Sequence, residues 1–199
     1  MPVSEHDASE QQRLRRVLAI FRTLATHMAL DSRVRADAGL HFSGRLGAIS
    51  RAALAAVRAG ADLHCLILDE LVACAAPGAC CHLEGPDVRL GAHSASVLSL
   101  AMHELAVNAL KFGALCPRGG HLKIHWRRQG TDRLVLEWLE SGVPMDAEEE
   151  RARGFGCEMV ERLIRLELGG HGEMVFSGDG VRCTIVIPFG SGDLITDGR

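Results

Sequence analysis

The sequence predicts an α+β chain: an N-terminal antiparallel pair of helices, then helices packed on one face of a mostly antiparallel sheet. Three observations lead there. Apolar residues recur at helical spacing in two early segments. Apolar runs of strand length crowd the second half, and a long helix with a polar edge separates the two regions.

In the first region Leu14, Leu18, Phe21, Ala25 and Met28 follow one another at alternating spacings of four and three. Phe42, Leu46, Ile49, Ala53 and Ala56 repeat that rhythm, so two helices are joined through the stretch from Asp31 to Gly39. A two-helix hairpin buries both seams poorly by itself. Residues 10–60 are therefore expected to form a four-helix bundle as a homodimer, with docking onto the following domain as the other way to cover the seams. The expected organisation is a helical hairpin over 1–60, an α/β sandwich over 61–190 and a tail over 191–199.

Leu63 to Ala75 reads as a helix and the stretch around His82 to Leu90 as a strand. In the next helix Leu98, Ala101, Leu105, Ala109 and Phe112 form one apolar stripe at 100° per residue. Glu104, Asn108 and Lys111, at i, i+4 and i+7, form a second stripe roughly a quarter-turn away. An acid, an amide and a cation beside a buried face suit the wall of a polar cleft; an ordinary amphipathic helix with rim charges is the plainer alternative. Strands are expected near 121–128, 133–140, 172–177 and 181–188, the last two joined by a hairpin turn at Asp179-Gly180. Between them Met145 to Ala152 reads as a short charged loop, and Gly154-Phe155-Gly156 as the opening of a helix carrying Met159, Leu163 and Leu166 on one side. Backbone N–H groups at such an opening bind anions, and glycine lets a phosphate approach.

With 199 residues, 47% of them hydrophobic and 4% aromatic, the chain can bury one sizeable core plus an appendage. A net charge of −3, without basic clusters interleaved with aromatics, argues against nucleic acid as a partner. No run reaches the length of a membrane span and the polar stretch from Ser4 to Arg16 does not resemble a signal peptide, so a cytoplasmic location is expected. Seven cysteines without C-x-x-C spacing point to reduced thiols. Cys80-Cys81-His82 lacks the second ligand pair of a zinc site, and His103-Glu104 is not a zinc-protease motif because Val107 stands where a second histidine belongs. His121 and His125 share one face of a strand, where solvated side chains are the ordinary reading.

The stretch His103 to Gly113 resembles the N box of HWE-type histidine kinases, within the GHKL (Bergerat) group of ATP-binding folds shared with gyrase and Hsp90. Trp138-Leu139-Glu140-Ser141-Gly142-Val143-Pro144 resembles the family's G1 box, W-x-E-x-G-G-P, with Val143 in place of the second glycine. Arg153 to Ile164 resembles the G2 box, and Phe42-Ser43-Gly44-Arg45-Leu46-Gly47-Ala48-Ile49 the family's F-x-x-R-L pattern. The resemblance implies a GHKL-type sandwich that binds ATP and Mg²⁺. It assigns Asn108 to the metal, Lys111 to a phosphate and Glu104 to polarising the attacking imidazole. Glu140 would bond the adenine amino group and Gly142 would admit the base. His103, Gly154, Phe155 and Gly156 complete the cofactor-binding set, and Met145 to Ala152 would be an abbreviated lid.

One departure stands out. Registered on the family's acceptor segment H-R-V-K-N, the chain reads Gln12-Arg13-Leu14-Arg15-Arg16, so the phosphoacceptor position is Gln12. An amide has no nucleophilic nitrogen comparable to imidazole. The resemblance thus implies a histidine-kinase-like protein of two-component signalling that binds Mg-ATP and engages a response-regulator receiver or a partner kinase, impaired in autophosphorylation at the usual site. Three alternatives remain open: another acceptor (His6, His27 or His41), a non-enzymatic dimeric regulator, or a receiver phosphatase using Gln12.

Overall fold

The computed structural model describes residues 43–51, 61–74, 80–117, 119–143, 147–188 and 194–195. The chain divides into two compact units, Met1–Gly44 and Arg45–Arg199, and the elements below belong to the second. The first predicted helix, the seam positions Phe42, Ala53 and Ala56, and Gln12, His6, His27 and His41 lie outside the described residues.

Residues 45–51 are helical (α1) and bury Ala48 and Ile49. Helix α2 (Leu63–Ala73) starts at Asp62, whose carboxylate accepts the Cys65 N–H at 3.0 Å, an N-cap that satisfies an otherwise orphaned donor. It buries Leu63, Leu66, Ile67 and Leu71 at helical spacing, with Glu70 inside the same stripe. Helix α3 (Ala92–Phe112) and helix α4 (Ala147–Leu168) complete the layer.

Against these helices lies a five-stranded sheet of β2 (Cys80–Glu84), β4 (His121–Gln129), β5 (Arg133–Ser141), β7 (Gly180–Pro188) and β6 (His171–Ser177), in that spatial order. Only the β2–β4 pair is parallel. The register stacks Ile124, Trp138 and Cys183 in one row and Trp126, Leu136 and Ile185 in the next, all buried. A second, small sheet joins β1 (Ala61–Asp62), β3 (Arg89–Leu90) and β8 (Leu194–Ile195). The α+β sandwich expected from the pattern is the observed architecture.

Three local details differ from the sequence expectation. The predicted strand from His82 to Leu90 is two strands in two sheets, broken at Gly85-Pro86. A Cβ on Gly85 would fall 2.3 Å from the Trp126 ring, and the indole donates to the Pro86 carbonyl at 2.8 Å, so the chain turns off where the tryptophan crosses it. Leu166 is exposed, because the buried arc of α4 is centred between Val160 and Leu163 and Leu166 falls beyond its edge. Finally, α4 begins at Ala147, so residues 147–152, expected as a loop, are helical and Gly154 and Gly156 sit within the helix rather than opening it. Alanine, glutamate and arginine dominate this turn; they are good helix formers, and acids in a first turn oppose the helix dipole favourably.

Candidate functional site: the polar edge of α3 and the end of β5

The three residues of the predicted polar stripe differ in burial: Glu104 is buried, Asn108 half-buried and Lys111 exposed. Glu104 is expected on a cleft wall, yet only 4% of it is accessible. A carboxylate this deep needs a cation, and Arg45 supplies one as a fork. Its Nε is 2.5 Å from Oε1 and its Nη2 2.8 Å from Oε2.

His103 is also buried, and it meets α2. Its Nδ1 lies 3.3 Å from Oε2 of Glu70. Burial works against the charged imidazole, but the Cys74 and Glu70 side chains and the field of Glu104 outweigh it, and the pKa is pushed up to about 9. Glu70 is 1% exposed. Burial pushes its carboxyl up, and His103, Arg51 and Ser99 together overcome this and hold it below the usual carboxylate range. Arg51 Nη2 is 2.6 Å from Oε2, and the Ser99 hydroxyl donates to Oε1 at 2.7 Å. Glu70, Ser99 and Arg51 carry no motif, and pattern reasoning missed them. The one available signal was an acid seven residues after Leu63 within the stripe Leu63, Leu66, Ile67, Glu70, Leu71, where an unpaired charge would be costly.

Glu140, at the end of β5, is buried and accepts hydrogen bonds on both oxygens. The Trp138 indole N–H reaches Oε1 at 3.0 Å and the Ala114 backbone N–H reaches Oε2 at 2.9 Å. Ala114 follows the C-terminus of α3 by two residues, so this carboxylate ties the G1-like strand end to the N-box-like helix end. Gly142 turns the chain at φ +76°, a conformation that disfavours side chains. Val143, the residue that departs from W-x-E-x-G-G-P, is buried. Its Cγ2 lies 2.6 Å from where a Cβ on Gly120 would stand, so it packs into the notch that glycine leaves. Gly154, Phe155 and Gly156 are placed by the helical backbone of α4.

Chemically, the donor set fits a nucleotide with its metal. The Asn108 amide oxygen is a hard ligand, and Lys111 stands one turn further along the exposed edge. Among the described residues no cluster of three His, Cys, Asp or Glu side chains could hold a metal by itself. A divalent ion bound at Asn108 would thus share its ligands with phosphate or water, as magnesium prefers.

The blue-light-activated histidine kinase 1 of Erythrobacter litoralis is 38% identical over 106 residues, 52% of this chain and 29% of the relative. The homologues of this chain are histidine kinases. A blue-light-activated histidine kinase of Rhizobium johnstonii is 35% identical over 105 residues, 52% of this chain and 30% of its own length. The chain thus spans under a third of these relatives. No family model matches it. Among solved structures, the blue-light activated histidine kinase EL346 of Erythrobacter litoralis superposes with a TM-score of 0.69 at 16% identity, covering 96% of this chain and 62% of that one. The isolated histidine kinase domain of EL346 gives 0.61 at 16% identity, covering 87% and 84%. At these identities the likeness establishes the fold alone. Among the described residues, no helix is long and apolar enough to cross a membrane.

Proposed function

We propose that the chain is a histidine-kinase-like component of two-component signalling that binds Mg-ATP along α3 and the end of β5 and engages a receiver domain. One observation carries this reading: the Glu140 carboxylate and the end of the α3 helix are joined through the Ala114 N–H, six residues after Asn108. Asn108 holds the metal, Lys111 faces phosphate and Glu140 meets the amino edge of the base. When bound, Mg-ATP supplies a transferable phosphoryl group whose charge the metal neutralises. The protein's own part is positioning, which supplies most of the catalysis in phosphoryl transfer.

Homology to histidine kinases over half of the chain supports the signalling context. The sandwich over 61–190, the hairpin over 1–60 and a homodimer through 10–60 belong to the same proposal, as does a cytoplasmic location. Gln12 at the acceptor position favours a second reading, in which nucleotide binding regulates a partner and no phosphohistidine forms at the usual site. Calorimetric titration of the full chain with ATP and Mg²⁺, followed by labelling with radioactive ATP, tests both. Binding that needs magnesium and disappears in Asn108→Ala is the expected result; equal affinity with and without that side chain removes the site. Acid-labile label on His6, His27 or His41 would replace the regulator reading with an active kinase.

A further inference from the structure

Arg45, Ala48 and Arg51 are spaced three apart on α1 and form one stripe. Each engages a group from a later part of the chain. Arg45 grips both oxygens of Glu104 on α3. The Ala48 carbonyl oxygen lies 3.0 Å from the Ser99 hydroxyl, and Arg51 is paired with Glu70 on α2. Ser99 and His103 flank the same Glu70 carboxylate. The two acids are thus held by two arginines from one helix, with the N-box-like histidine between them.

The forked Arg45 contact has a consequence for the ligand edge. Glu104 lies one helical turn before Asn108. Unpaired, its charge would oppose an anionic ligand close by in a poorly screened setting. We propose that Arg45 is a positioning residue for the nucleotide edge of α3. It fixes Glu104 as a neutralised pair, so that the placement of α1 and the affinity of that edge for Mg-ATP are coupled. Arginine is suited to this because its planar fork matches a carboxylate, whereas lysine restores the charge without the geometry. This inference rests on the nucleotide reading above.

The test compares full-length wild type with Arg45→Gln, Arg45→Lys, Glu104→Gln and the double variant Arg45→Gln/Glu104→Gln, by Mg-ATP calorimetry and thermal unfolding. Arg45→Gln leaves the acid unbalanced and should weaken Mg-ATP binding by about tenfold. Glu104→Gln leaves the cation and should keep or tighten binding. Arg45→Lys and the double variant should return to within about threefold of wild type, while Arg45→Lys still melts lower. Affinity losses of the same size in Arg45→Gln and Glu104→Gln would mean the pair is scaffolding only and would overturn the inference. If wild type binds no Mg-ATP, the nucleotide reading fails separately, and unfolding then decides whether Arg45 and Glu104 are coupled. Single-variant losses that the double variant partly recovers support it; strictly additive losses overturn it.

Discussion

Two systems of paired charge share this frame and differ chiefly in their access to water. Beneath α3, Glu70 and Glu104 are almost sealed, with side-chain exposures of 1% and 5%, and Arg51, Arg45 and His103 surround them. On the open face of the sheet, His125 lies 2.8 Å from Glu137, Lys123 lies 3.8 Å from Glu84 and Arg182 lies 3.8 Å from Glu137. Both sets pair glutamates with arginine and histidine, and the exposed one adds a lysine. Buried carboxylates lose their hydration and depend on their partners, whereas exposed ones exchange a partner for water at little cost. The buried set is therefore where a substitution reaches the rest of the molecule.

The largest effect should come from Glu70→Ala. It removes the buried carboxylate that the Ser99 hydroxyl, the His103 ring and Arg51 all face. Breaking such a pair costs about 3–5 kcal/mol, or roughly 10 °C in the melting temperature of a chain this size. A loss under about 1 kcal/mol in urea unfolding would show that the cluster behaves like the surface set.

pH separates the two systems next. The folded pKa of His103 is raised from 6.5 to about 9, so the protonated ring stabilises the fold fully below 6.5, and this contribution is lost as pH rises through 9. A shift of this size caps the loss at about 3 kcal/mol. Glu70, whose folded carboxyl is held low, is ionised throughout that window and adds nothing to the slope. The melting temperature of wild type should therefore decline between pH 6.5 and 9, and that of His103→Gln should stay nearly level. Equal slopes would show that the ring is not charged in the folded protein.

The sheet was legible in the sequence because its strands alternate or run apolar and its last hairpin carries Asp179-Gly180. The apolar stripe of α3 was legible for a similar reason: Leu98, Ala101, Leu105 and Ala109 are all buried. What periodicity could not show is that α3 is covered on further faces. Ser94, Ser96, Ser99, His103 and Glu104 look polar in the sequence and are buried in the fold. Two of them have remote partners: Ser99 meets a residue 51 positions away and Glu104 one 59 positions away. Long-range pairing leaves no mark in a local pattern. Residues 147–152 show the converse, since a charged stretch without apolar period reads as loop although its intrinsic propensity is helical.

That helix offers a smaller, sharper comparison. Glycine within a helix costs up to about 1 kcal/mol relative to alanine, so Gly154→Ala should raise stability by about that amount. If the same substitution also weakens Mg-ATP binding, the glycine serves the ligand at the expense of the helix. A loss of stability instead would show that the backbone at 154 is not helical in solution.

The smallest effect should belong to the open sheet face. His125 and Glu137 make the shortest contact there, yet their side chains are 28% and 20% exposed, and water can replace either partner. The ring and the carboxylate sit directly across from each other on β4 and β5, where a directly opposed side-chain pair contributes roughly 0.2–1 kcal/mol. His125→Ala should therefore cost less than about 1 kcal/mol, and less still in high salt. A loss approaching that of Glu70→Ala would mean that this face is covered in solution, because only exclusion of water could raise the worth of so ordinary a pair.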